Sequence, residues 1–209
     1  MPSAPPSLWR GETPLLLASA SAPRRALLEG AGLPVETEAS GVDERSVEAA
    51  AVAEGAGPAD VAHRLACAKA LAVSRRRPDR VVVGADQTLD CEGEILHKPG
   101  DAGAAKAQLA RLAGRTHALH SAAALARDGV IVRTFADDAR LTMRPLSPAA
   151  IERYVALAGE RVTQGVGAYQ VESLGIHLFE RIEGDHATIL GLPLLPLLAA
   201  LRDLELLAL

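Results

Sequence analysis

The stretch PLLLASASAPRRALLEG, residues 14–30, sets the class of fold. Its apolar run from Leu15 to Ala18 is short, as is typical of a buried strand. Ser21 then offers a helix N-cap, Pro23 is tolerated in the first turn, and Gly30 ends the helical pattern. The stretch therefore predicts a strand, a tight turn and a helix N-terminus in succession.

Helical and extended patterns alternate along the rest of the chain, which predicts an α/β fold. Apolar residues at three- and four-residue intervals predict a helix over 58–74, and the triplet Val81 to Val83 predicts a central strand that ends at Asp86. The segment 48–57 is expected to be a mobile loop. Further helices are predicted over 102–113, 147–158 and 192–206, and further strands over 116–125, 130–136 and 174–182. A hairpin at 128–129 implies a mixed sheet flanked by helices.

The charge balance argues against nucleic acid or an anionic membrane as the main partner. The chain has 22 Lys+Arg and 26 Asp+Glu, a formal charge of −4, whereas both partners demand clustered positive charge. The densest basic run, Arg75 to Arg77, fits a solvated helix end. Two isolated cysteines and no signal-peptide pattern predict a reduced, cytoplasmic protein.

Several common catalytic signatures are missing. No P-loop pattern is present, and the glycines at 165 and 167 lack the third glycine of a dinucleotide fingerprint. His117 and His120 are three residues apart in a predicted strand, so they would face opposite sides, which disfavours a zinc site. Gly-x-Ser-x-Gly is absent as well.

A helix N-terminus with hydroxyl and guanidinium groups remains as a candidate site. Ser19 and Arg24 lie within one turn of it, where free N–H groups and positive charge suit polyphosphate oxygens. A plain helix cap followed by surface arginines is the open alternative. Asp86 is the most informative acid, because a carboxylate at the end of an apolar strand needs a cation, a metal or a substrate as its partner. An aspartate that only caps the next turn is the alternative there.

Three further charged residues are candidates with structural alternatives. Glu44 belongs to a carboxylate pair in a loop, which is commonly just a solvated turn. Lys69 lies near the apolar face of its helix, where a lysine often only extends its ammonium to water. Lys98 lies in a rigid turn before Pro99 that can aim its ammonium at the same crevice as Asp86.

Seven motifs occur in the order typical of one family. In this order the chain resembles the Maf family, also called septum-formation-inhibitor-like proteins, over residues 14 to 202. The motifs are LASASAPRRALL at 17–28, GVDE at 41–44, VGAD at 83–86, HKP at 97–99, GVGAY at 165–169, IEGD at 182–185 and GLP at 191–193.

The resemblance implies a nucleoside triphosphate pyrophosphatase that releases a nucleoside monophosphate and pyrophosphate with a divalent cation. It also implies a cytoplasmic, often dimeric protein with an elongated α/β fold related to the inosine-triphosphatase group and the substrate in a central cleft. We expect an N-terminal extension over residues 1–13 and one Maf-like domain of two lobes over 14–209. A non-catalytic nucleotide-binding regulator of cell division, suggested by the family's name, is the alternative function. A phosphohydrolase that releases orthophosphate is a third.

The resemblance also assigns roles to individual residues. Asp86 matches the catalytic aspartate, Arg24 the phosphate-binding arginine, and Lys69 and Lys98 two phosphate-facing lysines. Glu44 matches the family's glutamate. Together Glu44 and Asp86 could supply the carboxylates that Mg²⁺ prefers, with substrate oxygens and water as the other ligands.

Two positions bear on the choice of nucleotide. Gln87 and Glu172 are similar to the branch of the family that acts on 7-methyl-GTP, whereas the branch acting on dTTP and UTP usually has Thr and Gln there. Against this, the residues Ala22-Pro23 replace the Pro-Trp expected in the 7-methyl-GTP branch. We expect a modified or purine nucleotide, and dTTP or UTP remains the alternative.

Overall fold

The computed structural model describes residues 7–209, and it contains one open sheet with helices on both faces. The strands are β1 Leu15–Leu17, β2 Val35–Thr37, β3 Val82–Cys91, β4 Glu94–Leu96, β5 Thr116–Arg127, β6 Val130–Met143 and β7 Phe179–Glu183. The helices are α1 Ala22–Gly30, α2 Glu44–Ala53, α3 Pro58–Arg76, α4 Ala102–Leu112, α5 Pro148–Ala158, α6 His186–Ile189 and α7 Leu194–Asp203. Two 3₁₀ helices cover Gly159–Thr163 and Leu174–Leu178.

The sheet is mixed, as predicted. Its strand order is β2-β1-β3-β5-β6-β7, with β4 paired to β3 beyond the end of β1. Strand β1 runs parallel to both β2 and β3, whereas the remaining pairs are antiparallel. The β5–β6 hairpin turns at Asp128 and Gly129, both with positive φ, which confirms the predicted hairpin.

Helix α3 covers one face of the sheet through small side chains. Ala66 packs with Ala122, and Ala70 packs with Ala124. A Cβ atom on Gly84 would lie 2.4 Å from the carbonyl oxygen of Ala66. Glycine at this position therefore allows the backbones of β3 and α3 to approach closely, and this sets the height of α3 above the strand.

The opposite face carries two separate apolar clusters. Leu89 and Leu119 belong to the first cluster, which α4 and α5 cover. Val83 and Ala123 belong to the second, together with residues of α1 and α7. Strand register places Gln87 opposite Ser121, and Ser121 opposite Asp137, between the two clusters. We call these three residues the polar row.

Three local predictions were wrong. Asp86 lies inside β3 and does not end it, because the polar residues that follow still pair with β5 along one edge. The first part of the segment 48–57 is helical and not a loop, because it belongs to α2. Asp43 caps this helix by accepting a hydrogen bond from Ser46 N at 3.2 Å, and alanines follow. The predicted strand over 174–182 starts as a 3₁₀ helix and becomes extended only at Phe179.

The two ends of the described chain lie together. Of the N-terminal extension predicted over 1–13, residues 1–6 lie outside the described residues. Trp9 is buried and forms a β-bridge with Leu207. The division into an extension and a two-lobed domain remains a prediction. Within residues 7–209, every helix is too short or too polar to cross a membrane.

Candidate active site

The candidate site lies at the carboxyl end of β1. Strand β1 stops at Leu17 while β3 continues, and β4 joins β3 only from Leu89 onward. The edge of β3 between these two neighbours is therefore open to groups from loops and helices. In open α/β sheets, such positions at strand ends are where ligands bind.

The turn from β1 into α1 has the predicted geometry. Ser19 Oγ accepts a hydrogen bond from Ser21 N at 3.2 Å, and Ser21 caps α1 with Pro23 in the first turn. The hydroxyl groups thereby hold the helix N-terminus beside the open edge of β3. Free N–H groups at a helix N-terminus attract anions.

Arg24 turns inward from α1. Its Nε donates to Gly191 O at 2.8 Å, and its Nη1 donates to Ala85 O at 2.9 Å and approaches Ser19 Oγ at 3.3 Å. A Cβ atom on Gly191 would lie 3.2 Å from the guanidinium, so glycine leaves room for it. The alternative of a surface arginine does not hold for Arg24. Burial lowers the pKa of Arg24, while the carboxylates of Asp86 and Glu44 raise it.

Asp86 is buried, and it pairs with an equally buried lysine. Lys69 Nζ contacts Asp86 Oδ1 directly and lies 2.9 Å from Glu44 Oε1. Relative exposure is 7% for Asp86 and 6% for Lys69, whereas the Glu44 side chain is 55% exposed. One ammonium therefore joins a buried and an exposed carboxylate. Burying these charges would be costly without such pairing.

The amide of Gln87 has a fixed orientation. Its Nε2 donates to Ser121 Oγ at 2.9 Å, and it lies 3.0 Å from Thr188 O and 3.1 Å from Ile189 O. Because backbone carbonyls only accept hydrogen bonds, the nitrogen must face them. The Oε1 atom lies on the other side of the amide and accepts no hydrogen bond from a described residue.

Two predicted substrate-binding residues are not brought into contact with Asp86. Lys98 follows β4 with an exposed side chain and forms no ion pair with any residue from 7 to 209. Glu172 is exposed too; burial, with a smaller contribution from the charge of Glu172, raises the pKa of Tyr154 to about 12. Glu172 therefore lies at the cluster covered by α5. The roles of both residues remain predictions.

Sequence reasoning missed Ser121 and Asp137 of the polar row and Thr188, which contacts both. Ser121 Oγ donates to Thr188 O at 2.7 Å, and Thr188 Oγ1 donates to Asp137 Oδ2 at 2.9 Å. Asp185 in turn caps the short helix that carries Thr188. These partners are 51 to 67 residues apart, so no local spacing could have indicated them.

The fold and this site define an α/β protein whose buried ion pair lies beside a helix N-terminus at the end of a parallel strand. Comparison with known proteins agrees with this class. The family model described as Maf-like protein matches residues 14–204. The chain therefore belongs to the Maf family, which confirms the resemblance seen in its motifs.

Relatives with two different names cover almost the whole chain. A nucleoside triphosphate pyrophosphatase of Nitrobacter winogradskyi is 54% identical over 203 residues, which are 97% of this chain and 100% of the relative. A 7-methyl-GTP pyrophosphatase of Mesorhizobium japonicum is 52% identical over 190 residues, 91% of this chain and 96% of the relative. A 7-methyl-GTP pyrophosphatase of Brucella abortus is 52% identical over 188 residues, 90% and 94% of the two chains.

Proposed function

We propose that this protein is a nucleoside triphosphate pyrophosphatase that hydrolyses the bond between the α- and β-phosphates. The observation that carries the proposal is the buried Lys69–Asp86 ion pair, which continues to the exposed Glu44 and lies near Arg24. The names of its relatives support this activity.

The residues at the site have complementary tasks. Arg24, Ser19 and the first N–H groups of α1 hold phosphate oxygens of the substrate. Asp86 orients a water molecule and accepts its proton while the water oxygen bonds to the α-phosphorus. The bridging P–O bond breaks and its electron pair leaves with pyrophosphate. Lys69, with Lys98 from its exposed turn, neutralises the charge that develops on this leaving group.

The carboxylates fit a divalent cation, which we propose is Mg²⁺. No group of three or more His, Cys, Asp or Glu side chains lies close enough to hold a metal among residues 7–209. Glu44 and Asp86 nevertheless share one ammonium, and Mg²⁺ is commonly bound by one or two carboxylates plus substrate phosphates. When bound, the cation would supply charge neutralisation at the phosphates.

Gln87 supports a purine or modified nucleotide as the substrate, with 7-methyl-GTP as the leading candidate. Its fixed Oε1 is an acceptor, and guanine offers two neighbouring N–H donors on its base-pairing edge, the ring N1–H and the exocyclic amino group, where thymine and uracil offer only the ring N3–H. Glu172 would balance the positive charge of a methylated guanine. Relatives named 7-methyl-GTP pyrophosphatase support this choice.

We further propose that the protein acts in the cytoplasm and forms a homodimer. Cys67 and Cys91 are both free thiols, which suits a reducing compartment. Light scattering on the purified protein gives the oligomeric state: a mass of twice 21.7 kDa supports the dimer, and a mass of one chain contradicts it.

Product analysis tests the activity. Purified protein is incubated with Mg²⁺ and canonical or 7-methylated triphosphates, and ion chromatography measures monophosphate, pyrophosphate and orthophosphate. Equimolar monophosphate and pyrophosphate support the proposal. Orthophosphate alone indicates a phosphohydrolase, and nucleotide binding without turnover indicates the non-catalytic regulator.

The variant Asp86→Asn is the matched control for contaminating enzymes. It keeps the size of the side chain but removes the proton acceptor, so kcat should fall by about 10³-fold or more while the circular dichroism spectrum is unchanged. Unchanged turnover by this variant would contradict the role of Asp86.

A further inference from the structure

The segment from Glu38 to Glu44 links β2 to α2 and carries one carboxylate of the active site. All seven of its residues are exposed or half-buried, so apolar packing does little to hold it. At its start, Glu38 N donates to Leu17 O at 3.0 Å. At its end, Glu44 lies against Lys69. Polar contacts therefore have to fix the backbone between these two points.

Arg76 at the end of α3 supplies this contact. Its Nη2 donates to Ala39 O at 2.9 Å and its Nη1 donates to Ser40 O at 3.0 Å. Its Nε donates to Glu38 Oε1 at 2.9 Å. The guanidinium thus binds three consecutive residues of the segment with a planar set of donors that no other side chain offers.

Arg76 and Lys69 lie on the same stripe of α3. They are seven residues apart, which corresponds to about two helical turns, about 10 Å along the axis and an offset of about 20°. Val73 lies between them and packs against Leu16. One rigid helix therefore holds both ends of the Glu38–Glu44 segment.

The helix that follows the segment is anchored independently. Val47 and Ala51 of α2 pack against Val61 and Leu65 of α3. This anchoring starts at Val47, three residues after Glu44, so it fixes the body of α2 but includes neither Glu44 nor the backbone before it. The position of Glu44 consequently depends on the backbone that enters the helix.

We infer that Arg76 is a positioning residue of the active site, which places Glu44 against Lys69 by fixing the backbone at Ala39 and Ser40. Its effect on turnover rests on the proposed function, because Glu44 matters to turnover only in that reaction. Arg76 itself contacts none of Lys69, Asp86 and Arg24.

The neighbouring residue Arg77 provides a matched control. Its Nε donates to Glu38 Oε2 at 2.9 Å, so it shares the carboxylate that Arg76 binds, but it donates to neither backbone carbonyl of the segment. Arg76→Ala should lower kcat about tenfold with KM within about twofold, since small displacements of catalytic groups have effects of this order or larger. Arg77→Ala should leave both constants within about twofold. Equal losses for the two variants would overturn the inference.

A double-mutant cycle separates positioning from general weakening of the fold. If Arg76 acts through Glu44, then Arg76→Ala should cost no more than about twofold in kcat when Glu44→Gln is already present. The same tenfold loss in both backgrounds would overturn the inference. Arg76→Lys, which keeps the charge but not the planar set of donors, should give an intermediate kcat.

Hydrogen exchange provides a readout that does not require turnover. The amide of Val42, which donates to Ser40 Oγ at 3.4 Å, should exchange faster in Arg76→Ala than in wild type, and Arg77→Ala should match wild type. Equal protection in all three proteins would overturn the inference. A wild-type protein that releases no pyrophosphate would instead contradict the proposed function, while this exchange result would still decide where Arg76 acts.

Discussion

Two pairs of buried polar side chains link β3 and β5 to other parts of the molecule, and the two pairs differ in charge. Lys69 and Asp86 remain an ion pair. His117 and Tyr169, whose Nε2 and Oη atoms are 2.6 Å apart, are neutral. Burial lowers the pKa of His117 to about 4 and raises the pKa of Tyr169, so neither side chain carries a charge near neutral pH.

The difference shows which pair can do chemistry. The His117–Tyr169 pair is enclosed by aromatic packing, with the ring of Phe179 perpendicular to that of Tyr169 at 4.8 Å. The Lys69–Asp86 pair continues to the exposed Glu44, so its charges can be shared with a ligand. A neutral pair closed by apolar neighbours stabilises the fold, whereas a charged pair with an exposed partner is suited to a site.

The largest expected change in stability comes from breaking the ion pair. Lys69→Met leaves Asp86 buried without its direct partner and should lower the free energy of unfolding by about 3 kcal/mol. Urea denaturation followed by circular dichroism measures the change.

The double variant Lys69→Met with Asp86→Leu sharpens this prediction. It removes both charges and should recover at least half of the lost stability, because well-packed apolar residues often replace a buried ion pair without loss. We expect no turnover from it, since Asp86 is absent. Additive destabilisation would show that the ion pair itself is needed for folding.

The neutral pair predicts an effect of pH on stability. The folded pKa of His117, about 4, is below its ordinary value of 6.5, so the unfolded chain binds more protons between these pH values. The free energy of unfolding should therefore fall as pH decreases from 6.5 to 4, by at most about 3 kcal/mol.

The variant His117→Gln isolates this contribution from those of other groups. Glutamine can still bond to Tyr169 but does not titrate, so the difference in pH dependence between the two proteins belongs to His117. Identical slopes in denaturation series at several pH values would contradict a buried neutral imidazole.

The smallest expected effect follows from removing one hydroxyl. Tyr169→Phe leaves His117 Nε2 without its partner and should lower the free energy of unfolding by about 1 kcal/mol, with kcat within about twofold of wild type. A large loss of turnover at unchanged stability would mean that this pair acts in the reaction and would break the contrast with Lys69–Asp86.

Local patterns predicted most of the secondary structure but misjudged where elements end. The Ser21 cap and Pro23 defined the start of α1 because both act within one turn. The predicted end of β3 was wrong. The residues after Ala85 are mostly polar, so their pattern did not indicate a strand, but they pair with β5 by hydrogen bonds. Helix α2 was missed because short alanine-rich segments form helices only when they can pack, here against α3.

Part of the site could be predicted as well. The motif resemblance gave Asp86, Arg24, Glu44 and Lys69, which the structure brings together. The orientation of Gln87 and the contacts of Arg76 could not be predicted, because their partners are about 34 to 102 residues away in sequence.

The amino-acid sequence by itself determined most of the succession of strands and helices, the absence of clustered positive charge and the motifs of the Maf family. Periodicity, capping and turn chemistry act between neighbouring residues, so they can be recognised without a structure. Only the tertiary structure decided that an ammonium on α3 joins a carboxylate inside β3 to one at the start of α2. That arrangement depends on how closely α3 packs on the sheet at Gly84, and close packing between distant segments leaves no local signal in the chain.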